Sequence, residues 1–230
     1  MRIFKKIRMK ENKMIKKFDE TKGINITKIE NQSRFAYAVS EFEDFYDVLN
    51  GNYINGYRGA VIKFYDTETG KVFTPFEKER NVTYGKPLYF NEKYFFLRCD
   101  FNKNTIVLYG YFPGKDTEFI ESFAIDKTEL YNLSLMGQGV NVVSQKDFFN
   151  CYYPYRFSFP QQPNETAVMI RDNLVYLEAW FEDGWDEDNN IASENYSFYN
   201  KIIVKDFTGK TVSEETGSLY IADNDTVWIS

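Results

Sequence analysis

Acidic and aromatic side chains gather in two stretches of the chain. Residues 41–58 hold Glu43, Asp44, Tyr46, Asp47, Tyr53 and Tyr57, and residues 182–197 hold Glu182, Asp183, Trp185, Asp186, Asp188 and Tyr196. Carboxylates accept hydrogen bonds and ring faces supply apolar contact, so both stretches read as exposed loops able to bind a protein, a peptide or a carbohydrate. The 230-residue chain contains no histidine. That removes Ser-His-Asp and Cys-His nucleophilic catalysis, His-ligated metal sites and His-ligated haem. The chemistry left open is that of paired carboxylates, as in a glycoside hydrolase. Acids on solvated loops keep near-ordinary pKa values and make poor general acids, so a noncatalytic binding module is expected, with a glycoside hydrolase-like enzyme as the alternative.

Other motifs carry less. Asp186, Asp188 and Asn190 take alternate positions like the first ligands of a calcium loop, but Ile191 stands where the glycine belongs and Ser197 where the glutamate belongs. Gly209-Lys210-Thr211 ends like a phosphate-binding loop, yet Val204 occupies the first glycine position. Cys99 and Cys151 lie outside any C-x-x-C spacing and are expected to be reduced and packed. No catalytic residue, metal or cofactor is therefore assigned.

The formal charge of −6 is unevenly spread: residues 1–18 carry eight Lys or Arg against Glu11 alone, so that segment is +7 and the remainder −13. Its basic residues interrupt Ile3, Phe4, Ile7 and Met9 at strand spacing. This fits a lysine-protected edge strand better than a nucleic-acid or lipid-binding arm. No run of about 18 apolar residues occurs, and the apolar core of a secretory signal is missing. A soluble, cytoplasmic chain without membrane or nucleic-acid partners is the expectation.

The elements that must position these loops are strands. Phe (22), Tyr (18) and Trp (3) are abundant, and short apolar runs are punctuated by Asn, Asp and Gly. One hairpin type recurs five times, with turns near residues 31, 92, 138, 172 and 224, a mean spacing of about 48 residues. A second hairpin follows each of the first four. Identities at an offset of 139, such as Phe42-Glu43-Asp44 with Phe181-Glu182-Asp183 and Thr69-Gly70-Lys71 with Thr208-Gly209-Lys210, suggest internal duplication.

The segment Tyr65-Asp66-Thr67-Glu68-Thr69-Gly70-Lys71 resembles the Y-D-x-x-T-G-K hairpin of WD40-like β-propellers, although the Gly-His and Trp-Asp dipeptides of that family are absent at the expected places. The resemblance implies a fold and no particular function. The expected architecture is all-β: a single five-bladed propeller, with blades over 24–76, 82–125, 130–159, 165–215, and 218–230 together with 1–18. Strands from both termini would close the last blade. An up-and-down barrel or a β-sandwich is the alternative.

Overall fold

The computed structural model describes residues 15–41, 44–50, 56–137, 139–186, 188–222 and 226–230. The fold is all-β, built from consecutive antiparallel sheets. In the first, β1 (Thr27–Lys28), β2 (Phe35–Val39), β3 (Ile62–Asp66) and β4 (Val72–Phe73) pair in chain order, with a short helix α1 (Phe45–Asn50) between β2 and β3. The second contains β5 (Val82–Tyr84), β6 (Leu88–Phe90), β7 (Lys93–Asp100), β8 (Thr105–Tyr111) and β9 (Thr117–Ala124), with β5 and β6 both paired to β7. The third is β10 (Ser134–Met136), β11 (Asn141–Gln145), β12 (Phe148–Tyr153) and β13 (Phe157–Pro160). The fourth is β14 (Glu165–Arg171), β15 (Leu174–Asp186), β16 (Ile191–Asp206) and β17 (Thr211–Thr216). A terminal hairpin, β18 (Leu219–Ile221) and β19 (Val227–Ile229), completes the order.

Turn chemistry sets these registers. Arg171 pairs with Leu174, leaving Asp172 and Asn173 as a two-residue turn with φ of 52° and 63°. Phe90 pairs with Lys93 across Asn91 and Glu92 in the same left-handed region. Positive φ at both positions matches the twist of the flanking strands, which is why Asn and Asp recur there. At the Y-D-x-x-T-G-K hairpin, Asp66 accepts from the backbone N–H of Glu68 and Thr69. Asp206 does the same for Thr208 and Lys210 in the later copy.

Each sheet shares a core with the next. Phe35, Ile62 and Phe64 of the first meet Tyr84, Tyr94 and Phe96 of the second. Leu97, Ile106 and Leu108 of the second meet Leu133 and Val142 of the third segment. Val143, Phe149 and Phe159 then pack against Val175, Leu177 and Ile203 of the fourth. Burying each such side chain stabilises by roughly 1.5–3 kcal/mol. The other face of the first sheet, at Ala36, Ala38 and Tyr65, is covered by Phe18 and Ile24. Asn31, Tyr89, Met136, Val168 and Ile221, from the beginning of the five successive units, line one cavity of about 390 Å³.

No sheet closes on itself among the described residues. Of the strands expected from residues 1–18 to close the last unit, residues 1–14 lie outside the described part. Ile15–Phe18 form no strand; Phe18 instead sets its ring edge-on to Tyr65 at 5.1 Å, and Asp19 donates its N–H to the Gly70 carbonyl. No helix of the described residues is long and apolar enough to cross a membrane. Cys99 and Cys151 are buried free thiols.

Candidate functional site

The two acidic and aromatic stretches adopt different structures, and Asp44 of the first lines a cavity. In the first, the chain enters α1 through Asp44, whose Oδ1 accepts from the Tyr46 N–H at 2.9 Å. Phe45 and Val48 are buried, anchoring the helix, while Asp47 lies in its first turn. Tyr57, expected on an exposed rim, is buried and donates its hydroxyl to the Glu41 carbonyl. An aromatic ring at a strand approach is worth more in the core than in water, which overrides the polar context of its neighbours. Glu43 and Tyr53 lie outside the described residues.

The second stretch is no loop. β15 and β16 continue pairing past the end of β14, through Glu182 opposite Phe198 and Asp183 opposite Ser197, to Asp186 opposite Ile191. A bulge at Gly184, where φ is 74° and an added Cβ would meet Ser193 Oγ at 2.8 Å, bends the ribbon near its tip. Alternating aromatic residues outweigh the intervening acids as strand formers. Trp180 stacks on Phe198 at 6.4 Å, Trp185 meets Tyr196 edge-on at 6.0 Å, and the Tyr196 hydroxyl donates to Glu182. That bond raises the Tyr196 pKa. Asp186 is a turn former: Asn189 donates to it from Nδ2 and from its backbone N–H, holding the carboxyl below its usual range. Asp188 is exposed beside it.

An open cavity of about 560 Å³ lies where Asp44 and Phe45 meet segments from three other sheets. Gly85 and Lys86 contribute from the β5–β6 connection, Tyr131, Asn132 and Ser134 from the entry to β10, and Gln145 and Lys146 from the β11–β12 turn. Gln161, Gln162, Glu165 and Thr166 come from the junction of β13 and β14. Asn164 in that junction exchanges hydrogen bonds with the backbone of Trp180, so the base of the ribbon is tied to the cavity wall.

The polar lining is organised. Gln145 Oε1 accepts from the Ala167 N–H at 2.7 Å and from Gln161 Nε2 at 3.2 Å, while its own Nε2 donates to the Ala167 carbonyl. Gln161 Nε2 also donates to the Glu165 carbonyl, and Gln161 Oε1 is buried without a hydrogen-bond partner among the described residues. Glu165 accepts from Lys205 Nζ at both oxygens, each at 2.7 Å, and from the Gln162 N–H. Lys86 pairs with Glu30 at 2.7 Å. Burial raises the Asp44 pKa against the opposing bond from Tyr46. Tyr46 and Tyr131 meet edge-on at 5.4 Å, and Lys146 Nζ lies 5.6 and 5.9 Å from their ring centroids.

Sequence reasoning missed most of this wall. Glu165, the acid that opens β14, stands one residue before the apolar run that announces the strand, and Gln145, Lys146 and Gln161 look like ordinary turn residues. The signal was the polar composition at strand entries that converge only in three dimensions. No protein-family model matches the chain, and no curated protein matches it.

Proposed function

We propose that the protein is a noncatalytic carbohydrate-binding module, and that its sheets are the blades of a five-bladed β-propeller. The observation that carries the binding reading is the 560 Å³ cavity with interlocked amides, tyrosine rings and one carboxylate, Asp44, free of an ion pair among the described residues. Planar amides donate and accept hydrogen bonds in fixed directions, and ring faces take the apolar faces of sugars; the cavity is also within the usual size range for a small ligand. The acidic and aromatic ribbon, with Glu182, Asp183, Trp185, Asp186 and Asp188, springs from Trp180, which is hydrogen-bonded to Asn164 of the β13–β14 junction, and in this reading offers a second contact surface to a longer chain.

Glycoside hydrolysis needs two available carboxyl groups about the scissile bond. Glu165 is committed to Lys205 at both oxygens. This favours binding over catalysis.

The propeller reading draws on the shared cores between successive sheets and on the 390 Å³ cavity lined from all five units. A lone two-stranded hairpin is marginally stable in water, and β18–β19 exposes Tyr220 and Trp228.

A glycan array followed by calorimetry tests the binding reading. The expected result is saturable binding of an oligosaccharide, weakened by Tyr131→Ala and by Gln162→Ala, with the sugar recovered intact. Binding insensitive to both substitutions, or cleavage of the sugar, contradicts it.

A further inference from the structure

Of the four charged side chains lining the cavity, two are compensated by ion pairs. Glu165 is neutralised by Lys205, and Lys86 by Glu30. Asp44 has no ion-pair partner among the described residues, and burial raises its pKa. Lys146 remains: it lines the cavity mouth, its ammonium rests against the rings of Tyr46 and Tyr131, and no carboxylate of the described residues forms an ion pair with it.

Two tyrosine rings fix the direction of a long, flexible side chain without quenching its charge, since a ring face offers a quadrupole and no counter-ion. The Lys146 Nζ therefore keeps N–H donors for a ligand. The cavity thus offers a cationic donor beside two tyrosine rings.

We infer that the bound carbohydrate is acidic: a sugar carboxylate accepts from Lys146 while the sugar ring lies against Tyr131. The inference rests on the carbohydrate-binding reading and specifies its ligand class. A neutral sugar would leave the Lys146 ammonium without a counter-charge; an acidic peptide would satisfy Lys146 but supply fewer hydroxyl donors for the amide wall.

Calorimetry with an oligomer of uronic acid residues and its carboxyl-reduced counterpart, identical except for the charge, tests this. For the unaltered protein the acidic oligomer is expected to bind about tenfold more tightly, the worth of one charge-assisted hydrogen bond. That preference should vanish in Lys146→Met and persist in Lys146→Arg, with melting temperatures unchanged by either exposed substitution. Equal affinity for both oligomers, or a preference for the acidic one that survives Lys146→Met, overturns the assignment of an acidic ligand while leaving the carbohydrate site standing. Binding of neither oligomer, together with a blank glycan array, overturns both.

Discussion

Lys205 and Glu165 lie 40 positions apart in sequence, yet Lys205 Nζ sits 2.7 Å from each carboxylate oxygen of Glu165 in a buried pair that joins β16 to the start of β14. The side chains are 9% and 5% exposed, so water compensates neither charge if the other is removed. Lys205→Met should therefore destabilise the fold by about 3–5 kcal/mol in chemical denaturation. The double variant Glu165→Leu/Lys205→Met should lose less than the single one, because it leaves no orphaned charge. A single variant of unaltered stability would show the pair to be weak.

The core between the third and fourth sheets should respond quite differently from the ribbon that extends beyond it. Leu177 is fully buried, and Leu177→Ala should cost about 2–5 kcal/mol. Trp185 is 40% exposed near the ribbon tip, and Trp185→Ala should change stability by no more than about 0.5 kcal/mol. Thermal melts of the two variants side by side check this; equal losses would mean that the ribbon packs on the body of the fold.

The strand pattern was legible in the sequence because the turns announce themselves. Asn91-Glu92 and Asp172-Asn173 occupy left-handed conformations that favour polar turn residues, and the apolar runs on either side pair as expected. The ribbon was misread as a loop because Glu182, Asp183 and Gly184 look like strand breakers, while the cross-strand partners that hold them, Phe198 and Ser197, come from beyond the turn. Tyr57 was misplaced on the rim because its hydroxyl bond to the Glu41 backbone satisfies it in a buried position. The cavity was illegible: Asp44, Tyr131, Lys146 and Gln161 share no local pattern, and only the stacking of successive sheets brings them together.

Protonation of Asp206 should weaken its hairpin. The Thr208 hydroxyl donates to Asp206 at 2.6 Å, assisted by the N–H groups of Thr208 and Lys210, and these bonds lower the carboxyl pKa below its ordinary 3.8. A carboxylate with a depressed folded-state pKa stabilises the fold above its unfolded value, and that contribution disappears as pH falls through the folded value. Carbon-detected NMR titration should place Asp206 below 3.8 and move it upward in Thr208→Val. An unshifted Asp206 in the parent protein would contradict the hydrogen-bonded turn.

Both thiols should be inert in the folded protein. Burial pushes the Cys151 thiol, which donates to the Tyr153 carbonyl, up to about 11, and pushes Cys99 up as well. Thiolate is the reactive form, so a disulfide reagent at pH 8 should label neither cysteine until denaturant is added. Rapid labelling of the native protein would mean that one of the inter-sheet cores opens readily.

The most direct test of the binding site is a chemical-shift titration of the labelled protein with the oligosaccharide that an array selects. The predicted result is that perturbed amides gather at Asp44–Tyr46, Tyr131–Ser134, Gln145–Lys146 and Gln161–Thr166, four segments united only by the cavity. Perturbations confined to other faces, or none at saturating sugar, would contradict the assignment of this cavity as the ligand site.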